Sequence, residues 1–123
     1  MYELLLFCLA AALGAMARYG LSAFIYGLLG RNFPWGTAVV NIMGCFLFGL
    51  TWMLTDGIEM SAQVRVILLI GFMGSFSTFS TYIFESHLLL QQGKRFYVLL
   101  NVFGQTLIGL GALYCGFLLG RLW

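Results

Sequence analysis

The sequence predicts an all-α membrane protein with four transmembrane helices, the third broken near the bilayer centre. Three observations carry this expectation. Hydrophobic residues make up 62% of the 123-residue chain and charged residues only 8%, whereas a soluble domain needs about 25% charged residues. Mean hydropathy is +0.98. The apolar residues fall into four runs, each close to the roughly 20 residues that a helix needs to cross a hydrocarbon core of about 30 Å.

The first span runs from Leu4 to Leu29 and is interrupted only by Arg18. Leu4–Gly14 followed by Ala15-Met16-Ala17 has the outline of a cleavable signal. However, Glu3 is the only charge before it and the apolar run continues past Arg18, so a retained helix is expected. Gly30-Arg31-Asn32-Phe33 reads as a tight turn, and Pro34 suits the first turn of the second span, Pro34 to Thr55. Asp56-Gly57-Ile58-Glu59 leads to Ser61, a suitable N-cap for the third span, Val66 to Leu90. Gln91-Gln92-Gly93-Lys94-Arg95 connects it to the fourth, Tyr97 to Leu119. Trp35, Trp52 and Trp123 lie near span ends, as interfacial aromatics do. Residues 1–123 read as a single membrane subunit.

Charge gives almost no orientation signal. Four spans place both termini and the middle connection on one side, with Arg65 and Arg121; the other side carries Arg31, Lys94 and Arg95. Either a weak bias orients the chain, or it inserts both ways up and pairs as an antiparallel dual-topology dimer, an inverted symmetry that larger transporters build into one chain. The second is the expectation carried forward. A net charge of +2 with no basic run argues against a nucleic-acid partner. Cys8, Cys45 and Cys115 are expected to be small buried hydrophobes, and the single His87 structural. No nucleophile–base or metal constellation suggests an enzyme.

Polar groups inside spans cost free energy and need partners, so each is a functional suspect. Asn41 sits mid-span with two N–H donors; it is either a site residue or interhelical glue. The run Gly71 to Tyr82 holds two glycines and five Ser or Thr residues. Such a run weakens a helix, and a break frees backbone groups that are tolerated only inside protein or beside water. Its alternative is a packing surface of small residues. Tyr97, Asn101 and Gln105 recur every four residues on one face, with Thr106 beside them, as a water-lined stripe or as glue. Gly116-x-x-x-Gly120 is a weak packing signal. Arg18 should face a wet cavity or a partner; Glu85 is either that partner or a group reaching the interface.

These residues resemble one family. Gly14-Ala15-Met16-Ala17-Arg18-Tyr19 is similar to the G-x-x-x-R-Y element of the Fluc (CrcB-type) fluoride channels. Gly36-Thr37-x-x-x-Asn41-x-x-Gly44 resembles their second-span motif, and Gly71-Phe72-Met73-Gly74 to Ser77-Thr78-Phe79-Ser80-Thr81, ending at Glu85, their third-span signature. The resemblance covers nearly the whole chain. It implies an antiparallel dimer in a bacterial plasma (inner) membrane, with two fluoride pores and a sodium ion at the dimer centre. By motif position, Phe79 and Tyr82 are the pore aromatics and Asn41 the pore amide. Ser80 and Thr81 supply hydroxyls, Asn101 and Gln105 stand in the fourth-span track, and Arg18 lies near the vestibule. The backbone carbonyls of Gly74 and Ser77 would bind sodium. Tyr82 replaces the usual second phenylalanine, Ser77 the commoner threonine, and Asn101 and Gln105 the usual Ser or Thr.

The chemistry suits the ion. Fluoride holds its water tightly, so a pore must replace that shell with donors of similar strength yet let the ion leave. Neutral amides, hydroxyls and aromatic ring edges are such a compromise. Passive efflux of the anion would relieve toxicity after neutral HF enters the cell. The rival is a small four-helix multidrug or cation exporter, which wants a carboxylate within the early spans; here Glu3 lies at the extreme end.

Overall fold

A computed structural model describes residues 1–123. All its regular elements are helical. Helix α1 is Tyr2–Leu29 and α2 is Trp35–Asp56. The third span, Ala62–Gln91, divides into α3 (62–76) and α4 (Phe79–Gln91). The fourth, α5, is Arg95–Gly120. The four spans have mean hydropathies of 1.6 to 1.8 and are long enough to cross a membrane. Only 21 of the 123 residues are buried within the chain, so most of the apolar surface points outward, as it must when lipid is the solvent.

The tightest packing joins α2 to α5. Gly49 of α2 faces the Leu113 carbonyl, and Gly116 of α5 faces the Phe46 carbonyl so closely that a Cβ at either would overlap backbone. Gly120 lies against Met53. The weak small-xxx-small signal therefore marks a real contact, where missing side chains let two backbones approach. Helix α1 packs on α2 and on α3, and α4 packs on the first part of α5.

The helix ends follow local chemistry. Ser61 caps α3, its Oγ accepting the Val64 N–H at 3.4 Å. Pro34 is the N-cap of α2 rather than a first-turn residue; its carbonyl accepts the Ala38 N–H. Arg65 pairs with Asp56 at 3.3 Å and lies 4.3 Å from the Trp52 ring centre, tying the α2–α3 connection together. Cys8 and Cys115 are exposed on outer helix faces and Cys45 is half-buried; the expectation of burial inside the protein holds for neither of the first two, because the bilayer supplies their apolar surroundings. His87 is also exposed.

Two stretches carry wider, π-helical turns: Ile67–Phe72 in α3 and Leu100–Gly104 in α5. Such turns insert a residue and re-aim the side chains beyond them. The second one lies between Leu99 and Gln105 and contains Asn101.

Candidate functional site

The backbone leaves the helical region at Ser77 (ψ 158°) and Thr78 (φ −146°, ψ 122°). Hydroxyls explain why here. Ser75 Oγ donates to the carbonyls of Gly71 (2.8 Å) and Phe72 (2.9 Å), and Ser77 Oγ to that of Met73 (3.3 Å). They bond to the carbonyls of the last turns of α3. Thr78 then caps α4, its Oγ1 accepting the Thr81 N–H at 3.4 Å.

Asn41 holds the extended residue from the side. Its Oδ1 accepts the Thr78 N–H at 2.8 Å, and its Nδ2 donates to the Thr78 carbonyl at 3.0 Å. One amide side chain thus satisfies both backbone groups of a residue that has left the helix, which buried backbone requires. Nδ2 also donates to Gln105 Oε1 at 2.6 Å. From there a relay continues into α5 and back to α4. Gln105 Nε2 donates to Asn101 Oδ1 (2.8 Å), Asn101 Nδ2 to Ser86 Oγ (2.9 Å), and Ser86 Oγ to the Tyr82 carbonyl (2.8 Å). Asn101 is 0% exposed. In the single chain the fourth-span amides are therefore a buried network, while Tyr97, at the same spacing, is exposed.

Tyr82 is buried, with its ring centre 5.6 Å from that of Phe79. Its hydroxyl donates to the Val102 carbonyl at 3.1 Å and lies 3.5 Å from Thr106 Oγ1. The amides of Asn101 and Gln105 are not its partners; they are engaged with each other. Thr106 Oγ1 also donates to the Val102 carbonyl, at 2.6 Å, so that acceptor stays satisfied without the phenol. Tyr82→Phe is accordingly expected to cost less than about 1 kcal/mol in stability and to leave an active, selective protein with altered rate. Tyr82→Ile, which removes the ring, should be much more impaired. Equal loss of ion flux in the two variants would make the hydroxyl the essential group.

Two clefts meet at Thr78. One, of ≈ 350 Å³, is lined by Asn41, Phe79, Tyr82, Gln105 and Thr106 among others and carries no charged side chain. The other, of ≈ 330 Å³, is lined by Arg18, Arg31, Tyr26, Thr37 and Thr81 and has no carboxylate. Arg18 thus faces a cavity, not Glu85. Glu85 Oε1 instead accepts hydrogen bonds from Tyr26 (2.9 Å) and Thr37 (2.8 Å). Phe79 is 76% exposed, and Gly74, Ser80 and Thr81 are exposed as well.

The residues at the break suit a cation. In a continuous helix the Gly74 carbonyl takes the Thr78 N–H and the Ser77 carbonyl takes the Thr81 N–H. Here those donors go to Asn41 and to the Thr78 hydroxyl. Two carbonyl oxygens are deprived of their helical partners on a stretch that reaches the subunit surface, and oxygen ligands are what a hard cation prefers.

The site contains residues to which the sequence alone assigns no role. Ser86 and Tyr26 are polar groups in spans, so the suspicion applied to Asn41 extends to them. Thr37 and Thr78 sit inside quoted motifs, but their partnerships arise only when α1, α2 and α4 come together.

Comparison with known proteins gives a consistent picture. The family described as "CrcB-like protein, Camphor Resistance (CrcB)" matches residues 5–117. A protein of Solidesulfovibrio magneticus named "Fluoride-specific ion channel FluC" is 53% identical over 93% of this chain and 92% of its own length. Proteins of the same name are 43% identical in Nitratidesulfovibrio vulgaris, over 99% of both chains, and 42% identical in Thermus thermophilus, over 98% of this chain and 96% of the relative.

Proposed function

The chain belongs to the CrcB family, and from that premise we propose that it is one subunit of a fluoride-selective channel that lets fluoride leave the cytoplasm passively. It is a multi-pass bacterial membrane protein, and its chemistry is conduction rather than catalysis. The observation that carries the reading is the pair of clefts meeting at Thr78, one with two arginines and the other with neutral donors and ring edges, neither lined by a carboxylate. Arginines raise the local anion concentration at a mouth. Neutral donors along the other cleft bind without trapping. Helix α4 begins at the break, so the positive end of its dipole lies beside Phe79. Asn41 supports the route by holding Thr78, and Asn101 and Gln105 by holding Asn41. The exporter alternative has little to stand on: Glu3 lies in the first turn of α1, away from both clefts. Purified protein in liposomes should release fluoride and retain chloride; equal release of both ions, or of neither, would end this reading.

A second copy in the opposite orientation completes the proposal. Ser80, Thr81 and Gly74 point out of the subunit in mid-span, and irregular polar backbone does not persist against lipid. A partner copy covering this face removes the conflict, and the balanced Lys/Arg distribution permits its inverted insertion. Terminal tags are then expected on both sides of the membrane in similar amounts.

Sodium fits between the copies, held by the carbonyls of Gly74 and Ser77 from each; it would supply structural positive charge there. A cation bound only by the assembled form stabilises it by mass action. Exchanging sodium for a large organic cation should therefore lower the dimer fraction or the flux. Exhaustive removal with no change in either would eliminate the site.

A further inference from the structure

An anion channel that carries a membrane-embedded carboxylate must keep that charge out of the ion's way, and the surroundings of Glu85 suggest how this chain does so. Glu85 does not line the arginine-bearing cleft. It lines a separate cavity of ≈ 220 Å³ on the other side of Tyr26, together with Arg31, Asn32 and Gln92. Tyr26 and Arg31 line both spaces, and the Arg31 guanidinium lies 5.1 Å from the Tyr26 ring centre. Tyr26 and Thr37 thus stand between the cleft and the carboxylate. Both donate their hydroxyl hydrogens to the same oxygen, Glu85 Oε1. The second oxygen, Oε2, is buried without a protein partner.

We propose that Tyr26 is a positioning residue for conduction: with Thr37 it holds the Glu85 carboxylate on the far side of its own ring, with Arg31 stacked on that ring, so that an anion in the arginine-lined cleft meets cations and ring rather than a carboxylate. This rests on the channel reading above and adds a determinant to it. A bare carboxylate beside a fluoride would be repelled strongly in a low-dielectric surrounding, whereas two hydroxyl donors fix its direction and disperse its charge. Arg31, over the face of that ring, supplies the opposite sign on the same wall.

The test is fluoride efflux from liposomes for Tyr26→Phe, which keeps the ring and the Arg31 stack and removes only the hydroxyl. The wild-type protein is run alongside, so that absent flux in the wild type condemns the channel reading and not this inference. Flux in Tyr26→Phe is expected to fall about tenfold, the scale of one lost hydrogen bond to a charged group. Adding Glu85→Gln should restore it, because no charge is left to restrain, and Glu85→Gln alone should conduct. Packing effects alone would lower flux equally with and without the carboxylate. Thr37→Val, nearly isosteric and equally rescued by Glu85→Gln, provides the same reading if Tyr26→Phe does not yield folded protein. Wild-type flux in both single variants, failure of rescue, or loss of flux in Glu85→Gln alone would each overturn the proposal.

Discussion

Asn41→Asp should lower fluoride efflux by at least about 100-fold while wild-type protein conducts under the same conditions. The carboxylate keeps the acceptor that Asn41 offers the Thr78 N–H, but it replaces Nδ2 with a second acceptor. That atom would face the Thr78 carbonyl and Gln105 Oε1, at 3.0 and 2.6 Å in the native arrangement. Two donated bonds at about 1 kcal/mol each are lost, and repulsion between like-signed atoms is added, together exceeding the ~2.7 kcal/mol that corresponds to 100-fold. A negative charge is also placed in a cleft that has none. Gel filtration of the detergent-solubilised variant separates loss of conduction from loss of assembly. A folded Asn41→Asp protein with wild-type flux would remove Asn41 from the conduction machinery altogether.

Phe79→Ile is expected to reduce flux by up to about tenfold with little change in subunit folding. The ring is 76% exposed within the chain, so its removal opens no cavity in the subunit core and the stability cost of a buried truncation does not arise. What is lost is the positive ring edge beside the break, while apolar bulk is kept. Ring-edge interactions of roughly 0.5–1.5 kcal/mol correspond to about two- to tenfold in rate. The contrast with Tyr82 is informative. Tyr82 is buried against α5 through Val102, so Tyr82→Ile disturbs both packing and pore, whereas Phe79→Ile addresses the outward ring alone. Unaltered flux in Phe79→Ile would show that the ring edge does not serve the ion.

The positions of the four spans were legible in the sequence because the constraint behind them is one-dimensional. A segment in lipid must satisfy its backbone internally and present about 20 apolar side chains, and both conditions can be counted along the chain. The Ser61 cap belongs to the same class, since it links residues three apart. The hydroxyl-rich run from Gly71 to Tyr82 was visible as a weak place in a helix for the same reason: it concentrates groups that compete for backbone bonds within a turn of themselves.

What only the tertiary structure decided is which polar atoms meet. Thr78 and Asn41 are 37 residues apart, and nothing in either motif states that one amide takes both backbone groups of the other residue. The fourth-span stripe was readable as a face, but whether that face meets water or protein depends on α2 and α4. Asn41 and Ser86 engage Gln105 and Asn101, so the two amides of the stripe are buried while Tyr97 is exposed. Glu85 does not pair with Arg18: Tyr26 and Thr37 bring two hydroxyls from α1 and α2 to the same oxygen, beside a cavity that it shares with the connection residues Arg31, Asn32 and Gln92. Burying a polar group without a hydrogen bond is costly, so the buried amides of Asn101 and Gln105 and the buried hydroxyl of Ser86 had to find partners. Sequence reveals that obligation, and only the packing of helices distant along the chain selects the partner that meets it.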